Sequence, residues 1–111
     1  MTNQQIIDNI LKYEIHFHFS KSGGHGGQKV NKKNTKAELF FNIHDSNFLS
    51  DDQKKSLIQV AGHRVHHHEG ILILTDKEER LQYQNKKKVT KHFIILLNEA
   101  LNMPIRNNLL F

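Results

Sequence analysis

The residues best suited to chemistry lie in one glycine-rich run, Gly23-Gly24-His25-Gly26-Gly27-Gln28-Lys29, which holds four of the chain's 6 glycines. From Ser20 to Asn34 the only apolar residue is Val30, and from Ile15 to Ala37 there is no Asp or Glu. That acid-free window carries Lys21, Lys29, Lys32, Lys33 and Lys36. The run fails the common phosphate loops. A Walker A loop needs Gly-Lys followed by Ser or Thr, but Gln28 separates Gly27 from Lys29; the dinucleotide fingerprint needs different spacing and a following helix. Gly23-x-x-Gly26 and Gly24-x-x-Gly27 match a KH loop in form, yet that loop joins two helices. Ordering four glycines is entropically costly unless backbone must approach something closely. Bare backbone among cations suits a nucleic-acid end held against peptide N–H groups. The plain alternative is a flexible hairpin tip, where glycine is also common.

The other reactive side chains offer less. Cysteine is absent, which excludes thiol nucleophiles, iron–sulfur clusters, disulfides and the cysteine-bearing zinc modules. Among 9 histidines, His16 and His18 project from one face of a strand and His66, His67 and His68 form a run. Three adjacent residues cannot all point at one ion, so an exposed turn is the better reading and no metal site is expected. A second window, between Glu79 and Glu99, lacks acids and carries Lys86, Lys87, Lys88 and Lys91. It reads either as a solvated helix face or as an RNA-facing surface.

Composition agrees with a polyanionic partner. The chain has 111 residues, 16 Lys and Arg against 11 acidic residues, and a net charge of +5. At 37% hydrophobic and 24% charged it is an ordinary globular chain rather than a disordered one. Its size suits one small domain. No apolar run approaches the roughly 20 residues of a membrane span. Met1 to Asp8 is polar and has no early basic cluster, so no secretory signal is expected and the expected location is cytoplasmic.

The elements that must carry these residues follow from periodicity. Thr2 and Gln5 have capping-box spacing ahead of Ile6, Ile7, Ile10 and Leu11, which predicts a short helix. Ile15, Phe17 and Phe19 alternate with His16 and His18, as do Ala37, Leu39, Phe41 and Ile43 with their neighbours, predicting two half-buried strands. The simplest arrangement is a hairpin with the glycine run at its tip. Ser50 and Gln53 form a second capping box, Leu57, Ile58 and Ala61 a stripe, and Gly62 a stop. Ile71-Leu72-Ile73-Leu74 reads as a central strand. Val89, Phe93, Leu96, Leu97, Ala100 and Leu101 fall at i, i+4, i+7, i+8, i+11 and i+12, ending before Pro104; this helix begins between Asp76 and Asn85. The fold class is α+β: a small, mostly antiparallel sheet with helices packed on one face.

Gly26-Gly27-Gln28, then Val30-Asn31-Lys32, Asn34-Thr35-Lys36 and Glu38-Leu39, resembles the catalytic GGQ domain of class I peptide-chain release factors. It is closest to the small codon-independent ribosome-rescue peptidyl-tRNA hydrolases. Gly70 to Leu74 looks like the family's strand, and Arg80, Gln82 and Asn85 match its Arg-x-Gln-x-x-Asn signature ahead of the last helix. The likeness covers roughly residues 13 to 101. Gly23 and His25 stand where the family usually has Ser and Pro or Ala, and Lys29 where it has His or Asn; the tripeptide itself is intact.

The resemblance implies hydrolysis of the ester joining a peptide to the 3′-terminal ribose of tRNA. An ester needs no nucleophilic triad; a placed water and a stabilised oxyanion suffice. Gly26 and Gly27 would let backbone enter a narrow site, and the Gln28 backbone N–H would be the oxyanion donor. The neutral Gln28 amide can shape the water site without adding negative charge. His25 aligns with Pro or Ala, so it is expected to contact RNA or solvent rather than act as a base. The implied RNA-binding set is Lys21, Gly24, His25, Lys29, Asn31, Lys32, Lys33, Lys36, Arg80, Lys86 and Lys87. Arg80, Gln82 and Asn85 have a second reading, in which they brace the sheet against the helix.

The implied partners are the peptidyl transferase centre of the large ribosomal subunit, peptidyl-tRNA, and a glutamine methyltransferase acting on Gln28. The protein is expected to be a monomer without a cofactor. Residues 1–104 read as a single hydrolase domain, with no room for the family's stop-codon-reading domain. Residues 105–111 read as a short tail lacking the basic extension of rescue factors. The rival reading is a non-catalytic ribosome- or RNA-binding module that retains the GGQ loop.

Overall fold

A computed structural model of the chain describes residues 1–21, 35–66 and 68–104. Helix α1 (Asn3–Tyr13) leads into strand β1 (Ile15–Lys21). Strand β2 (Thr35–Asn42), helix α2 (Asp51–Ala61) and a 3₁₀ turn (Gly62–Arg64) follow. Strands β3 (Val65–His66) and β4 (Ile71–Asp76) and helix α3 (Gln82–Leu101) complete the order. The four strands lie in the order β1-β2-β4-β3, each pair antiparallel.

Both helix starts read from capping boxes form reciprocally. Thr2 Oγ1 accepts from the Gln5 backbone N–H at 3.1 Å while Gln5 Oε1 accepts from the Thr2 N–H at 2.9 Å. Ser50 and Gln53 repeat the exchange at 3.1 and 2.8 Å. Each box satisfies donors that a helix start would otherwise leave unpaired. The end of α1 is tied down by Glu14, whose carboxylate accepts from the Ser46 hydroxyl at 2.6 Å and the Asn47 N–H at 2.8 Å.

The core lies between one sheet face and the helices. On β2, Ala37, Leu39 and Phe41 are fully buried, while Lys36, Glu38 and Phe40 point to the other face and are half-buried. Helix α3 packs across β2 and β4, placing Phe93 edge-on to Phe41 with ring centres 5.3 Å apart. Leu72 and Leu74 share this core, whereas Ile71 and Ile73 alternate onto the helix-free face. The apolar run is thus an interior strand, as read, but it is buried on alternate residues. Phe19 departs from the expected burial. It sits on edge strand β1, is 38% exposed, and stacks on Phe17 at 5.8 Å.

Strand β3 was not legible as a strand, since two residues carry no period. His66 belongs to it, opposite Ile71, so the histidine run is not wholly a turn. The turn that follows reaches Gly70, whose φ of 66° lies in the left-handed region. A Cβ there would collide with the His44 ring. Gly62, at φ 59°, has open space around its Cα instead. Gly70→Ala should therefore lose more than the roughly 1–2 kcal/mol of left-handed backbone that Gly62→Ala loses. Urea unfolding of both variants checks that order.

Candidate functional site

The last residue of β1, Lys21, and the first of β2, Thr35, are paired across the sheet. The chain between them therefore leaves and re-enters the sheet at adjacent points, as a hairpin requires. Gly24, His25, Gly26, Gly27, Gln28, Lys29, Asn31, Lys32 and Lys33 fall in 22–34, outside the described residues. What the structure does describe is the root of that segment.

The root is held by Asn85. This side chain is 0% exposed, although it lies on α3 in register with the apolar stripe. Its Nδ2 donates toward the Thr35 carbonyl at 3.1 Å, the Thr35 hydroxyl oxygen at 2.7 Å and the Glu79 carbonyl at 3.1 Å. Its Oδ1 accepts from the Glu79 N–H at 2.9 Å. The amide orientation follows from these partners, since a flipped amide would set an oxygen against three oxygens. The Thr35 hydroxyl in turn donates to the carbonyls of Glu79 and Arg80, at 3.2 and 3.3 Å. One carboxamide thus joins the start of β2, the strand–helix connection before α3, and α3 itself. Of the two readings for Asn85, bracing is what the geometry supports.

The remaining described residues of the set spread around this root. Lys21 is exposed at the end of the edge strand. Lys36 points to the helix-free face, opposite Ser20. Arg80 is exposed, on the connection whose carbonyl receives Thr35. Lys86 places Nζ 4.9 Å from the centre of the Phe17 ring, a cation–π contact at the rim of the core. Lys87 is exposed on α3, beside Glu79, Gln84 and Lys88. His16 and His18 lie on the helix-free face, with His18 Nδ1 3.4 Å from Glu38 Oε1. Among the described residues, no group of three His, Cys, Asp or Glu is placed to hold a metal.

Two features escaped the sequence reading. Thr35 enters the sequence analysis only within the Asn34-Thr35-Lys36 likeness, with no bracing role; the usable signal is Asn85, a polar side chain four residues before Val89 on the buried stripe. The lysine window also has acids in space that it lacks in sequence. Lys88 Nζ lies 2.7 Å from Glu78 Oε1 and 3.2 Å from Glu79 Oε2, both just before α3. The hydrogen bond and charge of Lys88 hold the Glu78 carboxyl below its ordinary value of 4.5, and the same pair raises Lys88. A depressed carboxyl supports the fold above its unfolded pKa and loses that support as pH falls through the folded value. Lys88→Met should return Glu78 to about its ordinary pKa, as read by carboxyl-carbon NMR titration.

The comparisons agree with this architecture. The RF-1 domain family matches residues 4–107. The mouse (Mus musculus) large ribosomal subunit protein mL62 is 27% identical over 86 residues, which is 78% of this chain. The chain spans 41% of that relative's length. The match runs from the first helix past the last and takes in Asn85, which is buried at the root of the 22–34 segment. The chain belongs to the RF-1 domain family, the GGQ domain of class I release factors.

Proposed function

We propose that this chain hydrolyses the peptidyl-tRNA ester on the ribosome. The observation that carries the proposal is an RF-1 match over residues 4–107 with Gly26-Gly27-Gln28 unchanged. The chemistry fits the residues. Water attacks the ester carbonyl, the carbonyl oxygen becomes a tetrahedral oxyanion, and the ribose oxygen leaves with a proton. A backbone N–H at Gln28 stabilises the oxyanion, and glycine at 26 and 27 removes the Cβ atoms that would bar close approach. Ribosomal RNA and the substrate ribose complete the site, so the free chain is a poor catalyst. The resemblance to codon-independent rescue hydrolases makes release without reading a codon part of the same proposal. Gln28 is the proposed target of a glutamine methyltransferase.

Lys21, Lys36, Lys86 and Lys87 supply the described part of the docking charge. Each phosphate contact they make releases counterions, so ribosome affinity falls as salt rises. Lys87→Gln should weaken binding and shallow the log–log salt dependence by about 0.7–0.9, the share of one phosphate contact.

A second reading has its own support: mL62 bears the name of a ribosomal subunit protein, which fits a ribosome-bound module that does no chemistry. Ribosomes carrying peptidyl-tRNA and an empty acceptor site separate the two. The hydrolase reading expects release by the wild type, a loss of about 10²-fold or more in Gly27→Ala, and a milder loss in Gln28→Ala, which keeps its N–H. Unchanged release with Gly26 and Gly27 both replaced would contradict it. Binding with no release above the spontaneous rate favours the module.

A further inference from the structure

We infer that the aromatic residues beside Lys86, with Phe19 at their centre, form a stacking site for an unpaired nucleobase of RNA. The choice of RNA rests on the ribosome docking proposed above. The geometry uses described residues alone and needs no hydrolysis.

Phe17 and Phe19 lie opposite Leu39 and Ala37 of β2, on the side of the sheet that the helices cover. Their rings stack almost parallel, 12° apart in plane with centres 5.8 Å apart. Lys86 Nζ sits 4.9 Å from the centre of the Phe17 ring. Phe19 is next in the row and 38% exposed. β1 ends and α3 begins at one end of the fold, where Thr35 pairs with Lys21 and bonds to Asn85. Tyr83 precedes Lys86 by three residues, so it lies on the same flank of α3 but nearer that end. Phe19 is likewise nearer that end than Phe17. Of the six large hydrophobic side chains exposed among the described residues, Phe19, Leu81 and Tyr83 are here. So are the exposed cations Lys21, Lys86 and Lys87.

Charge decides the occupant. A protein surface closing over this end would strip water from three lysines without a counter-charge for each. A nucleic-acid strand brings a π face for the ring and phosphate for the lysines together. The nearby acids are turned away. Positions two apart on a helix differ by roughly 200°, so Lys88 occupies the flank opposite Lys86, and it holds Glu78 and Glu79 there. A base inside a duplex hides its faces in the stack, so the site selects unpaired RNA.

Fluorescence anisotropy of the free chain with labelled hexa-adenylate, and with a blunt RNA hairpin, tests the site without a ribosome. Phe19→Leu removes the ring but keeps an apolar side chain at an exposed position, so its circular dichroism should match wild type. It should bind hexa-adenylate about fivefold or more weakly, the low end for one lost base stack, with affinity for the hairpin unchanged. Phe19→Tyr should bind as wild type does. Adenine protons of the bound oligonucleotide should show nuclear Overhauser contacts to the Phe19 ring. Equal affinity of wild type and Phe19→Leu for hexa-adenylate overturns the inference. A loss shared equally by the hairpin also overturns it, because stacking would not be what was lost. On ribosomes, a photo-crosslinking side chain in place of Tyr83 should attach to RNA; attachment to protein alone overturns the choice of occupant. Absence of peptide release with hexa-adenylate binding intact would defeat the hydrolase reading and leave the stacking site standing.

Discussion

A single buried carboxamide ties together the start of β2, the connection before α3, and α3 itself. Asn85 stands where an apolar residue would continue the stripe of α3, and it is fully buried. Such a group is costly unless satisfied, because an unpaired amide in a low-dielectric interior keeps its full desolvation penalty of about 1–3 kcal/mol. Its partners are backbone groups of Thr35 and Glu79 and the Thr35 hydroxyl. Leucine could fill that volume, but it could not specify one arrangement of three segments. The network defines geometry more than it adds stability.

The rest of the fold makes that arrangement rigid. β2 begins at the network and runs through the centre of the core with Ala37, Leu39 and Phe41. α3 begins just beyond it and covers the same strand with Val89, Phe93 and Leu97. The segment that carries Gly26, Gly27 and Gln28 grows from the junction of the most buried strand with the longest helix. Close to it, Lys88 draws Glu78 and Glu79 back against α3. Glu78 and Glu79 are thereby paired, while Lys21 and Lys87 stay exposed.

Local signals were the legible ones. The two capping boxes, the stop at Gly62, and the period of α3 depend on residues a few positions apart, and each formed as read. The hairpin was legible because alternation on both sides of the glycine run leaves few other pairings. Two-residue β3 was not, since it exists only by its ladder to Leu72 and Ile71. Phe19 reads as core by alternation but lies at the sheet edge, a fact of strand order rather than of period. The role of Thr35 depends on residues 44 to 50 positions away. No local pattern could reveal it, though a lone Asn on an apolar stripe marks where such a partner must be sought.

The central claim is that this chain directs water onto the peptidyl-tRNA ester. The most direct measurement is mass spectrometry of peptide released from ribosomes, with an empty acceptor site, in water enriched in ¹⁸O. The account predicts free peptide acid that forms only with the chain present and carries a single ¹⁸O from solvent in its new carboxyl group. Peptide that stays on tRNA at the spontaneous rate, or leaves without solvent oxygen, would contradict it.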